Sequence, residues 1–505
     1  MSRLSRNILY NFLGQALAIG LGFVAARFVF KHLGEDALGI IYFSLTLTSV
    51  LFAILEMGIC STAVREVAAH AGDDPGYIRD LARTAGLFYW SAYALLAMVV
   101  YFGAPVLAER WVHLKVMDSL TATRMLQILG IGGLAVLPRS LYGSLLRGLE
   151  RMEFSNAIDV SVAALQQFGI IMLLALGRTT FSVAYWITAC SLLGTLAYAV
   201  MSARFLSARA LLPGYAPAVV KRNADYSGKM MSISILSLIH MQSDKMILST
   251  LLSIGTLGYY SFIYGLSNRV SMLTDAVAQA VLPSFSAFFS RGDREPLLRQ
   301  YWRVQDLVCL GAVPLVAAIV FSATPLLTFV FTGAVARMLF VPLTFLCLGF
   351  YLHGTLVVPY FFSLAAGKPE ISVKMNIWAL FVTVPATVAL IYFFGVVGAS
   401  VSWVFYHVFV YSYGVPRICA ECLRIPALEW YKHLGKIAAL TGLTYGLTWT
   451  LLGLPATGSV LTLTLGYASA TLAFLLGASW LMRGELRTTV VRFLRVVGMK
   501  TAQLA

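Results

Sequence analysis

The sequence is poor in charge: 12% of its 505 residues are Asp, Glu, Lys or Arg, while 59% are apolar. Ordinary globular domains carry roughly 25% charged residues, and a mean hydropathy of +0.81 excludes a soluble domain with a polar surface. Acidic residues are the rarer sign, 22 against 37 Lys and Arg. Catalytic signatures are also missing. No P-loop, HExxH or GxSxG run occurs, so neither an ATP-driven pump nor a hydrolase is expected. No set of nucleophile, base and metal can be assembled, and the chain is expected to be no enzyme and to need no cofactor. Cys60, Cys190, Cys309, Cys347, Cys419 and Cys422 are scattered; the Cys419/Cys422 pair lacks the second pair or neighbouring His of a metal site. The net charge of +15 is dispersed instead of forming one patch with interleaved aromatics, which argues against nucleic acid as a partner.

What is abundant is long apolar runs. A hydrocarbon layer of roughly 30 Å needs about 20 apolar residues in a helix, and such runs recur at about 8–30, 38–60, 82–107, 123–147, 154–177, 180–204, 230–252, 254–284, 304–331, 338–365, 372–394, 396–416, 434–453 and 458–482. They are too long and too evenly apolar for barrel strands. The expected fold is therefore an all-α polytopic membrane protein of about fourteen transmembrane helices. Basic residues set the orientation: 28 of the 37 are assigned to every second loop with its flanking helix ends or to the termini, six to the opposite side, and three, Arg27, Lys245 and Arg269, to the membrane interior. Both termini are expected on the cytoplasmic side. The first run is about 23 residues long without a small-residue cleavage site, and is expected to be a retained helix. The tail from Arg483 to Lys500 mixes basic and apolar residues, as a helix on the anionic membrane surface or a solvated tail would.

An offset of 219 residues pairs Leu33, Leu38, Gly39, Phe43 and Leu47 with Leu252, Leu257, Gly258, Phe262 and Leu266. It joins corresponding hairpins, and six helices per repeat make the repeats parallel. The expected organisation is two pseudo-symmetric six-helix lobes around a central cleft, residues 1–204 and 230–421. A cytoplasmic linker, 205–229, joins them, and residues 422–505 add two helices and a basic tail.

The runs KHLGEDALGIIYF, EMGICSTAVREVA, DKMILSTLLSIGTLGYYSF, VLPSFS and GKPEISVKMNIWALFV followed by FGVVGASVSW resemble the polysaccharide flippases. These are the Wzx-like branch of the multidrug, oligosaccharidyl-lipid and polysaccharide (MOP) exporter superfamily. Lys31 stands where this family commonly has Arg, and Glu56 where Asp is usual; both keep the charge. The resemblance implies a protein of the bacterial inner membrane that moves a polyprenyl-diphosphate-linked oligosaccharide by alternating access. It implies the lipid-linked oligosaccharide, membrane lipids and a polysaccharide polymerase or glycosyltransferases as partners. A cation-coupled drug exporter of the same fold and a non-transporting scaffold for polysaccharide enzymes are the alternatives.

A charge inside a membrane helix needs a partner, a wet cavity or a route to the interface. Arg27 and Lys31, one turn apart, Lys245 and Arg269 are the candidate contacts to a diphosphate, which fixed cations and the Arg fork recognise. For Arg27 and Lys31 the alternative is snorkelling to the interface; for Lys245 and Arg269 it is local ion pairing. Asp244, four residues after His240, and Asp275, four before Gln279, are candidate coupling sites for a proton or sodium, with Glu56 and Asp159 behind them. No metal site is expected. His353 and His407 are read as polar packing residues.

Overall fold

A computed structural model describes residues 3–56, 58–70, 72–452 and 459–481. Side chains are described for these except 3–13, 15, 16, 229, 232–234, 237, 279, 283 and 290. The basic tail at 483–500, whether surface helix or solvated, and the side chain of Gln279 lie outside the described residues. Sixteen α-helices follow in order: α1 Arg3–Leu55, α2 Ile59–His70, α3 Pro75–Val106, α4 Ser119–Leu134, α5 Val136–Gly148, α6 Met152–Ala175, α7 Thr180–Leu206, α8 Pro217–Leu251, α9 Ile254–Ser267, α10 Arg269–Arg291, α11 Arg294–Val330, α12 Gly333–Ala365, α13 Pro369–Ile418, α14 Ala427–Thr441, α15 Leu447–Leu451 and α16 Val460–Leu481. The one β pairing among the described residues is an isolated bridge between His113 and Ser253.

Among the described residues, ten helical stretches are long and apolar enough to cross a membrane. Two of them are double. At 1.5 Å per residue, the 53 residues of α1 would extend about 80 Å and the 50 of α13 about 75 Å, far beyond one hydrocarbon layer. Each is broken at a glycine with positive φ, Gly34 (+86°) and Gly395 (+56°), a conformation that a Cβ disfavours. The runs at 8–30 and 38–60 thus flank Gly34, and those at 372–394 and 396–416 flank Gly395. Helices α4–α5 and α9–α10 each form one stretch. Helices α8 and α14–α15 occupy the two remaining apolar runs, 230–252 and 434–453.

Two segments depart from expectation. The linker 205–229 is irregular only to about 216, because Pro217 opens α8 at a position where its missing N–H is not needed. Helix α2, read as a loop, is a short amphipathic helix held by Glu56, whose carboxylate accepts the Gly58 and Cys60 backbone N–H groups, both at 3.0 Å. Gly58 (φ +67°) makes the turn between them.

The chain divides into two compact units, Met1–Ser261 and Phe262–Ala505. The core of the first centres on Leu137, Leu141 and Leu145 of α5 packed with Tyr89 of α3. In the second, Phe285, Tyr301, Phe362 and Trp430 form an aromatic core, and α16 packs with α14 and α11 through Phe474, Ile437 and Cys309. His433 of α14 meets Asp306 of α11 at 2.7 Å, both buried. The pair ties the final helices to α11 and relieves the burial of an isolated acid.

Candidate functional site

Within the first unit a tight seam joins the segment after Gly34 to the start of α9. Gly258 lies so close to Gly39 that a Cβ on it would sit 2.9 Å from the Gly39 nitrogen, and a Cβ on Gly39 would collide with the Ile254 carbonyl. These are the two glycines that the 219-residue offset pairs. Polar contacts flank the seam. Asp36 accepts from the backbone N–H groups of Lys115, Val116 and Met117 at 2.7–2.9 Å. Glu35 takes the Tyr259 hydroxyl at 2.8 Å and the Lys115 ammonium at 3.1 Å. Trp111 donates to Ser249, and Ile254 N–H to the His113 carbonyl, both at 3.0 Å. This is the end of the unit with few basic loop residues. None of these contacts is legible in local sequence.

The intramembrane cations have different surroundings. Lys245 is buried, its Nζ held by the Met241 carbonyl and Gln242 Oε1, both at 3.1 Å, with Asp244 at 4.0 Å. Asp244 in turn accepts the Tyr260 hydroxyl at 2.5 Å, and His240 is buried one turn earlier. Asp244 and Lys245 are therefore enclosed in this conformation. Arg27 is half-buried and Lys31 exposed on α1, and Arg269, the first residue of α10, is exposed with Nη1 3.4 Å from the Met272 sulfur. Among the four candidate substrate contacts, the structure thus encloses Lys245 and leaves Lys31 and Arg269 accessible.

Of the candidate acids, Glu56 spends both oxygens capping α2. Asp159 is exposed and pairs with Arg139 at 2.5 Å. Asp275 differs: it is half-buried on α10, with His353 Nε2 of α12 at 3.8 Å. His353 Nδ1 lies 3.3 Å from His407 Nε2, and His407 Nδ1 lies 2.7 Å from the Trp403 carbonyl. The order of protons along this chain follows from its far end. A carbonyl only accepts, so His407 Nδ1 carries hydrogen; neutral His407 then accepts at Nε2, and His353 donates from Nδ1. His353 Nε2 is left as a lone pair facing the Asp275 carboxylate, and the two attract only when one further proton lies between them. The imidazoles are set among Trp403 and Tyr406 rings, 4.6 and 4.9 Å from His407. Sequence reasoning named Asp275 but treated both histidines as packing, because nothing in linear spacing links position 275 to 353 and 407.

The Glu56 cap is testable. Glu56→Ala should lower stability by about 1 kcal/mol, the usual worth of a cap, read as a fall in Tm in detergent; an unchanged Tm with lost gradient response would instead mark Glu56 as a coupling acid.

Comparison with known proteins bears on both fold and family. The family described as polysaccharide biosynthesis protein matches residues 4–289, more than half of the chain. The "Putative O-antigen transporter" of Shigella flexneri is 21% identical over 419 residues, covering 79% of this chain and 93% of that protein. Among solved structures, the lipid II flippase MurJ in an inward closed conformation aligns with a TM-score of 0.69 at 14% identity, over 97% of this chain and 100% of that one. An inward-facing multidrug resistance MATE family transporter of the MOP superfamily aligns with a TM-score of 0.65 at 14% identity, over 79% and 94%. The structural likenesses give the fold of multi-pass MOP-type transporters, as the sequence motifs led one to expect, and the sequence match gives the family: the chain belongs to the polysaccharide biosynthesis protein family.

Proposed function

We propose that this protein flips a polyprenyl-diphosphate-linked oligosaccharide across the bacterial inner membrane for surface polysaccharide synthesis, both its termini being cytoplasmic. The relatives are named as transporters, not enzymes, and a large polar headgroup cannot cross hydrocarbon unaided because of its desolvation penalty. The observation that carries the reading beyond family is Arg269. An arginine within a membrane stretch whose side chain stays exposed is suited to an anionic ligand, and a diphosphate matches its planar fork. Lys31 supplies further accessible charge on the first unit, with Arg27 half-buried one turn before it; Lys245, enclosed by its own helix, serves the fold in this state. Replacing Arg269 with Ala should reduce surface-polysaccharide export at least tenfold at matched protein level, with Arg269→Lys partly active. Undiminished export in Arg269→Ala overturns the assignment.

The coupling ion in this reading is a proton, bound between Asp275 and His353. Sodium prefers several oxygen ligands, as hard cations do, whereas this pair offers one carboxylate and an imidazole lone pair. Protonation turns a repulsive contact into an ion pair, which is the differential binding energy that shifting a two-state equilibrium requires. A drug exporter of the same fold remains the second reading because of the MATE likeness; resistance to cationic dyes on overexpression, with no loss of polymer in a deletion strain, would favour it.

A further inference from the structure

A second concentration of charged groups lies at the basic-loop end of the first unit. Glu66 of α2 is buried and is met by the Tyr77 hydroxyl at 2.8 Å, by Arg65 at 2.6 Å, by Arg222 at 3.4 Å and by His70 at 3.7 Å. Asn223 of α8 donates to the Tyr77 oxygen at 2.9 Å and takes a longer contact from Arg65 at 3.3 Å. The Arg65 guanidinium lies 3.8 Å over the Tyr226 ring and that of Arg222 4.3 Å over Tyr77. Burial alone would push the Glu66 carboxyl up, but the Tyr77 hydroxyl and the two guanidinium groups hold it below its ordinary value, so it is ionised at neutral pH. Lys221 and Asp225 are exposed beside them. Arg65, Arg222 and Lys221 outnumber Glu66 and Asp225 by one, so this stretch of α2 and α8 carries a net positive charge.

Beside the cluster opens a groove of about 240 Å³, whose apolar walls include Ile59, Leu81, Phe88, Val219, Ala224 and Met231 and whose polar edge includes Asn223. The α3 wall runs into the bilayer: Phe88, itself 41% exposed, is about 20 Å along the helix from Pro75. Charge at one end and an apolar trough descending from it match an amphiphile with one anionic head. The volume suits part of a single chain and is too small for a glycan headgroup.

We propose that this groove binds an anionic phospholipid of the cytoplasmic leaflet, with Arg65, Lys221 and Arg222 on the headgroup phosphate and an acyl chain along Leu81, Phe88 and Val219. The assignment of leaflet rests on the basic-loop orientation, not on the flippase reading. The side chains of Arg65 and Arg222 are 42% and 49% exposed, and each guanidinium has donors beyond those directed at Glu66. Basic pockets on the cytoplasmic side of membrane helices are suited to anionic headgroups.

The test uses the full chain in nanodiscs of phosphatidylethanolamine containing a minority of phosphatidylglycerol, with retained lipid counted by native mass spectrometry. Phosphatidylglycerol should be enriched at least fivefold over its bulk share, and Arg65→Gln/Arg222→Gln should bring it to the bulk share. Because that double variant also strips partners from Glu66, Ala224→Phe, which fills the groove, is the companion: it should lower enrichment at least threefold with Tm unchanged. Equal enrichment in wild type and Ala224→Phe overturns the proposal. So does one-for-one displacement of phosphatidylglycerol by undecaprenyl phosphate, which would assign the groove to the carrier of the transported glycan. Neither result bears on Arg269, so the flippase reading is tested separately.

Discussion

Gly39→Val is expected to abolish export of surface polysaccharide and to lower stability by about 3 kcal/mol, the upper end of overpacking costs. A Cβ on Gly39 meets backbone, not a side chain that can rotate away: the Ile254 carbonyl carbon would lie 2.5 Å from it and the Gly255 nitrogen 3.0 Å. The backbone is also poorly placed to retreat. Asp36, three residues before Gly39, is fixed by three N–H groups from 115–117, and Glu35 is fixed by Tyr259 and Lys115. The same argument applies to Gly258, whose Cβ would press on the Gly39 nitrogen and Cα. Gly20→Val is the control, because a Cβ there meets nothing within 4 Å. The measurements are Tm of purified protein and surface polymer in a deletion strain complemented at matched protein level. Near-wild-type values for Gly39→Val would mean that the seam is not needed for folding or transport.

Asp275→Asn is expected to remove the response of transport to a proton gradient, with at least a tenfold fall in gradient-driven flipping in proteoliposomes. The amide keeps the shape of the carboxyl but cannot hold the proton shared with His353 Nε2, and it lacks the negative charge that makes that proton attractive. His353→Gln should act alike, since it removes the lone pair that faces Asp275 at 3.8 Å. Exchange of labelled lipid without a gradient should persist in both variants, which separates lost coupling from lost folding. Asp159→Asn, altering an acid already paired with Arg139 on an exposed surface, should leave the gradient response intact. A full gradient response in Asp275→Asn would exclude this pair as the coupling site.

The candidate acids illustrate how far linear reading goes. Asp275, Asp244, Glu56 and Asp159 look alike in sequence, each an acid in or beside an apolar run. Their surroundings separate them: Glu56 caps a helix whose start depends on the positive φ of Gly58, Asp244 is enclosed with Tyr260, and Asp159 pairs at the surface. Asp275 faces an imidazole from a helix nearly eighty residues away in sequence. No periodicity within one helix carries that information.

The sequence by itself determined the helical form of the chain and where its long apolar stretches lie, because hydrophobicity over about 20 residues is a local quantity to which the bilayer responds directly. It also pointed to the family, through glycine-punctuated helix ends in a given order, and to the equivalence of Gly39 and Gly258. Tertiary structure alone decided that these two glycines touch, that Lys245 is enclosed while Arg269 is exposed, and that Asp275, His353 and His407 form one chain. Those outcomes depend on which helix faces pack together. A charge buried in the membrane is tolerated once it has a partner, and packing, not the residue's own position in the sequence, supplies that partner.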